Sequence, residues 1–415
     1  MNLGSDWPDA TAVHSALAPA STLLAERRAL YRMAHDLFST GTTGLTDEQV
    51  DNPLLRYRIG EALAGRIPFG ASRHDDLDGI TTELVAGTTR LNLVGGADAN
   101  ERLALAMRVI HAQSGAPGPP ARLLTEADDD FPEARAIAEA GLRKACDVSP
   151  RLIGDLLPHT SLLAILDPAT SGGLVSASSR LFPGLILIDR PSCPYDVAEA
   201  LVHEGSHQKF FDLAITHDFL GADLSNDRIF HPSWSGASWP VEQVIAAFHA
   251  YACMAQFAED VVARGETDEL GPTSLLTSAR EREAEIGRWL LVEAEDALEV
   301  DARWFLRSFL RADTDFPRAA ETSELDGRYE LAPSLLRVAR MAASGRALLA
   351  RAGELQDDPP RLLWLEREAA EIVDALTGAP QRFIGLPNGR ARALAGLLES
   401  SLVRRVPETR SQQSG

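Results

Sequence analysis

Two histidines four residues apart flank a glutamate at Val202-His203-Glu204-Gly205-Ser206-His207-Gln208. On a helix, residues four apart share one face with Cβ atoms about 5–6 Å apart. His203 and His207 can therefore turn two imidazoles towards one metal ion. Glu204 starts about 100° further round the turn, within reach of a metal-bound water or of a hydrogen bond to a ligand. The chain has only ten histidines.

The flanks place the motif on a helix. Leu185-Ile186-Leu187-Ile188 is a wholly apolar run that reads as a buried strand, and residues 189–193 break it. Pro194 suits a first helical turn, where no N–H is needed, and Asp196 suits the positive end of the helix dipole. Val197, Ala198, Leu201, Val202, Phe210, Phe211 and Ala214 then predict an apolar helix of about five turns.

Two histidines leave a divalent metal short of ligands, because a catalytic site takes three protein ligands and keeps a position open. The extended pattern H-E-x-x-H-x-x-G-x-x-H fails, since Phe210 and Leu213 occupy its glycine and last histidine positions. His217, on a continued helix, would lie about 15 Å along the axis from His207. His231 sits in a loop, and Glu242, Glu259 and Asp260 could supply the carboxylate of a zinc peptidase. His249 is the third ligand we select. It lies in the middle of a helix expected over 240–263, with Glu242 and Gln256 expected on the same face. Three neutral imidazoles would leave the full charge on the ion. Zinc would polarise water for hydrolysis, whereas iron(II) with open positions could take a 2-oxo acid and dioxygen. The familiar non-haem iron site has two histidines and one carboxylate, from which three histidines depart.

The 415 residues, with 60 acidic against 40 basic side chains, give a net charge of −20. That predicts no nucleic-acid or anionic-membrane partner. Cys146, Cys193 and Cys253 are too few and too scattered for a disulfide framework or a cysteine-type zinc site. The first residues lack a basic and then apolar leader, and no apolar run approaches the roughly 20 residues that span a bilayer. A cytoplasmic protein is expected.

The expected fold class is mainly α with a small β-sheet (α+β). Helices are expected over 20–38, near 47–64, over 100–113 with Asn100 as its cap, and over 132–148. Ser114-Gly115-Ala116-Pro117-Gly118-Pro119-Pro120 reads as a linker, predicting an N-terminal helical region 1–118, a metal-binding core 119–270 and a C-terminal helical region 271–415. Strands are expected at 162–166, 173–176 and 185–188. Phe230-His231-Pro232-Ser233-Trp234-Ser235-Gly236-Ala237-Ser238-Trp239-Pro240 is a loop of aromatic and hydroxyl groups suited to lining a pocket. Past residue 271 the helices expected cover 273–298, 301–311, 333–352, 361–376 and 390–403, followed by a loose tail. The run Arg280-Glu281-Arg282-Glu283 reads as a solvated face. His35, His74 and His111 lack partners at metal-ligand spacing.

Taken together, Pro183-Gly184 with the following strand, residues 198–209 around the motif, Trp234 and Phe248-His249-Ala250-Tyr251 resemble the H-E-x-x-H peptide-modification family. Its members sit in gene neighbourhoods for ribosomally made, post-translationally modified peptides. The resemblance covers about residues 160–260. It implies iron(II), the co-substrate 2-oxoglutarate and hydroxylation of an unactivated carbon, often Cβ, of a peptide or carrier-bound amino acid. It also implies that His203, His207 and His249 hold iron, with Glu204 behind them rather than acting as a base. Where the family has an arginine after the loop tryptophan, Ser235 follows Trp234 here. Trp234 and Ser235 are then expected beside the co-substrate, and its anchoring cation becomes Arg228, Arg180 or Lys209. A zinc peptidase with Glu204 as base, and a non-catalytic metal-binding protein, remain the alternative readings.

Overall fold

Leu162-Leu163-Ala164-Ile165 and Leu185-Ile186-Leu187-Ile188 are apolar at every position because both of their faces are covered. The structure, a computed structural model, describes residues 9–17, 19–38, 45–63, 67, 77, 79–114, 118–217, 219–220 and 228–310. The helices expected at 333–352, 361–376 and 390–403, the tail, His74 and the middle of the 114–120 segment lie outside the described residues.

The chain begins with α1 (Ala10–Leu17), α2 (Ala20–Phe38), α3 (Asp47–Asp51) and α4 (Pro53–Leu63). One helix was expected near 47–64, and two are found. Asn52 turns extended ahead of Pro53, as a residue before proline does, and its Oδ1 accepts from Leu54 N and Leu55 N to start α4. A hairpin the sequence reading did not anticipate follows: β1 (Thr81–Ala86) and β2 (Thr89–Val94) pair antiparallel across Gly87, whose φ is +60°. Next come α5 (Ala99–Arg102) and α6 (Ala104–Ser114). Asn100, expected as a cap, instead exchanges two hydrogen bonds with the Leu123 backbone, at 2.8 and 3.0 Å.

The remaining elements are α7 (Phe131–Val148), α8 (Pro150–Leu156), β3 (Leu162–Ile165), β4 (Ser176–Ser178), β5 (Leu185–Ile188), α9 (Pro194–Thr216), β6 (Ile229–Phe230), β7 (Trp239–Pro240), α10 (Val241–Arg264), α11 (Ala279–Val292) and α12 (Val300–Phe309). The described fold is mainly helical with a small mixed sheet, an α+β arrangement. The sheet order is β1-β2-β3-β5-β4; β2-β3 and β3-β5 are parallel, and the two edge pairs are antiparallel. Two of its strands precede the expected linker and three follow it, so one sheet takes strands from both regions.

Side chains alternate across this sheet. Leu162, Ala164, Leu185 and Leu187 pack with Ala106, Met107 and Ile110 of α6. Leu163, Ile165, Ile186 and Ile188 pack on the larger core that α7, α9 and α10 build. On α7, Gly141 lets α9 come close: a Cβ there would lie 2.4 Å from Val197 Cβ and 2.7 Å from Pro194 O. No helix of the described residues is long and apolar enough to cross a membrane.

Candidate metal centre

α9 starts as its sequence requires. Cys193 is the N-cap, Pro194 opens the first turn, and the Asp196 carboxylate accepts from Ser192 N, Ser192 Oγ and Cys193 N at 2.7–3.1 Å. Past that turn, the side chains that are not buried are Glu199, His203, His207 and Phe211. They recur every four residues and form one stripe. Everything else on the helix through Ala214 is buried, including several polar groups that each have a partner. Gln208 Oε1 accepts from Gly184 N at 2.7 Å, and Lys209 Nζ pairs with Asp155 Oδ1 at 2.6 Å. Asp212 binds Arg27 and His159.

The stripe brings His203 and His207 together, with ring centroids 5.0 Å apart. Burial, followed by the neighbouring His203 ring, pulls His207 down to about 4, so its imidazole is neutral at pH 7. Neutral imidazole is the form that binds metal. Two imidazoles four residues apart on one partly exposed stripe suit a first-row divalent cation. One turn earlier, Glu199 is held by Ser274 Oγ at 2.5 Å and Leu275 N at 2.7 Å, and burial raises its pKa.

Glu204 points away from the stripe. It is 4% exposed, and both carboxylate oxygens are occupied: Ser176 Oγ donates to Oε1 and Ser178 Oγ to Oε2, each at 2.6 Å. The glutamate of the motif thus fastens α9 to β4.

His249, selected as the third ligand, is fully buried on α10. Its Nε2 lies 2.7 Å from His14 Nε2 and 3.5 Å from Cys253 Sγ. Phe210, Phe305 and Phe309 surround its ring. Among the described residues, the donor atoms gathered within 4.8 Å of one another are those of His14, His249 and Cys253, and not those of His203, His207 and His249. Gln256, expected to line a cavity with His249, accepts from Ala10 N at 2.6 Å instead. His231 is exposed, with Nδ1 3.1 Å from Ser238 Oγ.

The aromatic loop does reach the histidine stripe. Trp234 packs edge-on against Tyr251, 5.9 Å between centroids, and the Tyr251 ring lies 6.1 Å from that of His203. Ser235 is exposed, its Oγ accepting from Ala237 N. Of the expected anchoring cations, Arg228 is taken by Asp296 and by Glu293 O, and Lys209 by Asp155. Arg180 is half-buried, and the loss of solvent lowers its pKa against the pull of Glu242.

A different cation lies in contact with the Tyr251 ring, which neighbours that of His203. Arg282 Cζ lies 5.0 Å from the Trp234 ring centroid and 5.4 Å from that of Tyr251, and Nη1 donates to Tyr251 Oη at 2.9 Å. Among the described residues it forms no ion pair. The sequence reading took its charged run for a solvated face. Arg282, Glu285 and Trp289 share one face of α11, and that face carries the aromatic loop. Glu285 accepts from Ser233 N and Oγ at 2.8 and 2.6 Å, and Trp289 packs on Phe230 at 5.3 Å. A separate cleft of about 990 Å³, lined by Arg28, Asp51, Thr89 and Leu157 among others, includes none of these side chains.

No family model and no curated protein matches the chain. The resemblance to the H-E-x-x-H family therefore stands on the motif residues alone.

Proposed function

We propose that the chain is an iron(II)- and 2-oxoglutarate-dependent oxygenase that hydroxylates an unactivated carbon of a peptide or carrier-bound amino acid. The observation that carries this reading is Arg282, a guanidinium without a carboxylate partner among the described residues, set over Trp234 and over Tyr251, whose ring lies 6.1 Å from that of His203. His203 and His207 would hold the ion as two of the three protein ligands such a site takes, with positions left for a chelating 2-oxo acid. When bound, the metal would couple oxidative decarboxylation of 2-oxoglutarate by dioxygen, giving succinate and carbon dioxide, to insertion of one oxygen atom into a C–H bond. Arg282 would pair with the distal carboxylate of the co-substrate, a charge-assisted contact with the guanidinium already immobilised by stacking. Trp234 and Tyr251 would form the apolar wall that keeps water from that contact. Glu204, through its two serines, would fix the rotation of α9 and hence the aim of both histidines.

Zinc in the same place would suit a peptidase. That chemistry asks Glu204 to take a proton from water, whereas both of its oxygens are occupied by serine hydroxyls on β4. Glu204→Gln separates the readings. A general base contributes about 10²–10⁴-fold, which a peptidase would lose. The oxygenase keeps its metal and most of its turnover, because the amide oxygen still accepts from one serine and the amide nitrogen can donate to the hydroxyl oxygen of the other.

The direct test is succinate formation by purified, iron-loaded protein with 2-oxoglutarate and a peptide panel. Turnover that requires both iron and peptide is expected. Absence of succinate with every peptide tested would remove the proposal. In the same assay Arg282→Leu raises KM for 2-oxoglutarate by roughly 10- to 100-fold, the worth of one charged hydrogen bond, with kcat little changed. An unchanged KM would take Arg282 out of the site.

A further inference from the structure

Three potential ligand atoms meet in the core, away from the accessible stripe. His14 Nε2, on α1, and His249 Nε2, on α10, are 2.7 Å apart, and Cys253 Sγ is 3.5 Å from His249 Nε2. All three residues are fully buried. His249 and Cys253 lie four residues apart on α10, so one helix face presents both. Ligand bonds of about 2.0–2.1 Å for nitrogen and 2.3 Å for sulfur at a tetrahedral zinc put N···N near 3.3 Å and N···S near 3.6 Å. The cluster is already close to that size.

The hydrogen bonds around it favour a cation. Asp155 Oδ2 accepts from His14 Nδ1 at 2.6 Å. The other oxygen of the same carboxylate accepts from Lys209 Nζ at 2.6 Å. With Nδ1 protonated towards Asp155, neutral His14 carries a bare lone pair on Nε2. His249 must then donate its own Nε2 proton to His14, which leaves its Nδ1 unprotonated. That nitrogen is buried and, among the described residues, has no hydrogen-bond partner. A cation between the two Nε2 atoms uses both lone pairs and moves the His249 proton to Nδ1. A carboxylate orienting a ligating histidine is the usual support for such a site. Lys209 sits on the other oxygen of Asp155 and neutralises it, so the thiolate supplies the negative charge the ion requires. Phe305 and Phe309 close around both imidazoles.

We propose that His14 Nε2, His249 Nε2 and Cys253 Sγ form a second, buried metal site that takes a thiophilic divalent cation such as Zn²⁺ and clamps α1 onto α10. Three protein donors and a water complete the coordination, and binding releases the Cys253 thiol proton. The site is independent of the reading proposed for His203 and His207.

Cobalt(II) added to metal-free full-length protein tests it, because thiolate ligation produces an intense near-ultraviolet charge-transfer band that imidazole ligation alone does not. The band is expected in the wild type. It should remain in a His203→Ala/His207→Ala double variant, so loss of the other site leaves it untouched. It should disappear on addition of excess Zn²⁺ and be absent from Cys253→Ser. Cys146→Ser/Cys193→Ser, which leaves Cys253 as the one thiol, should retain it, and this variant decides the matter should Cys253→Ser fail to fold by circular dichroism. A folded wild type without the band, a band that survives in folded Cys253→Ser, or its loss from folded Cys146→Ser/Cys193→Ser would overturn the proposal.

Discussion

His203→Ala and His207→Ala are each expected to abolish iron-dependent succinate formation while the protein stays folded. Each removes one of two imidazoles aimed from the same stripe of α9. Residues that merely support metal ligands cost about 10- to 100-fold in metal affinity or activity when replaced, so loss of a ligand should exceed about 100-fold. The fold should suffer less than from truncating a core side chain, because His203 and His207 are half-buried on the one stripe of the helix that keeps some exposure. A change in stability within about 1 kcal/mol is expected by urea unfolding. His249→Ala is the contrasting variant. Its ring is packed among Phe210, Phe305 and Phe309 with Nε2 on His14. Truncation there should lower stability through a cavity and a stranded His14, yet leave iron at the α9 pair. Loss of iron from folded His249→Ala at neutral stability would restore it as the third ligand.

Asp212→Ala is expected to be the most damaging single change to the fold. Asp212 is 1% exposed and accepts from Arg27 Nη1 and from His159 Nδ1. Arg27 reaches on to Asp51 at 3.0 Å, and Asp51 also pairs with the buried Arg56. Burial would raise the Asp212 pKa, but the Arg27 charge overrides it and holds the carboxylate below its ordinary range. Alanine would leave the buried Arg27 with Asp51, a carboxylate it already shares with Arg28 and Arg56. Removing one partner of a buried pair costs about 3–5 kcal/mol, a large share of the 5–15 kcal/mol typical of a folded domain. The urea midpoint should fall with little change in slope, and Asp212→Asn, which keeps an acceptor, should lose less. A midpoint within error of the wild type would show that this network does not hold α2 to α9.

The parts legible in the sequence were those whose chemistry is local. α9 could be placed from its proline, its aspartate and the histidine spacing, and β3 and β5 from runs that are apolar at every position. Glu204 could not be resolved, since its partners Ser176 and Ser178 lie in a three-residue strand with no apolar pattern. β1 and β2 carried a weak signal, a glycine turn between threonine-bearing segments whose alternation is imperfect. The neighbour of His249 was beyond local reasoning, because His14 lies 235 residues away and nothing near either residue marks the pairing. Arg282 was hidden for another reason. A solvated arginine and one stacked on two rings read alike in a charged run, and only the loop packed on α11 separates them.

An anaerobic titration of 2-oxoglutarate into Fe(II)-loaded protein, followed by visible absorption, most directly tests whether His203 and His207 hold a co-substrate-binding iron. A 2-oxo acid chelating iron(II) produces a metal-to-ligand charge-transfer band. The band is expected in the wild type, at higher 2-oxoglutarate concentration in Arg282→Leu, and not at all in His203→Ala or His207→Ala. A wild-type protein that binds Fe(II) but gives no band at any 2-oxoglutarate concentration, or folded histidine variants that keep the band, would contradict it.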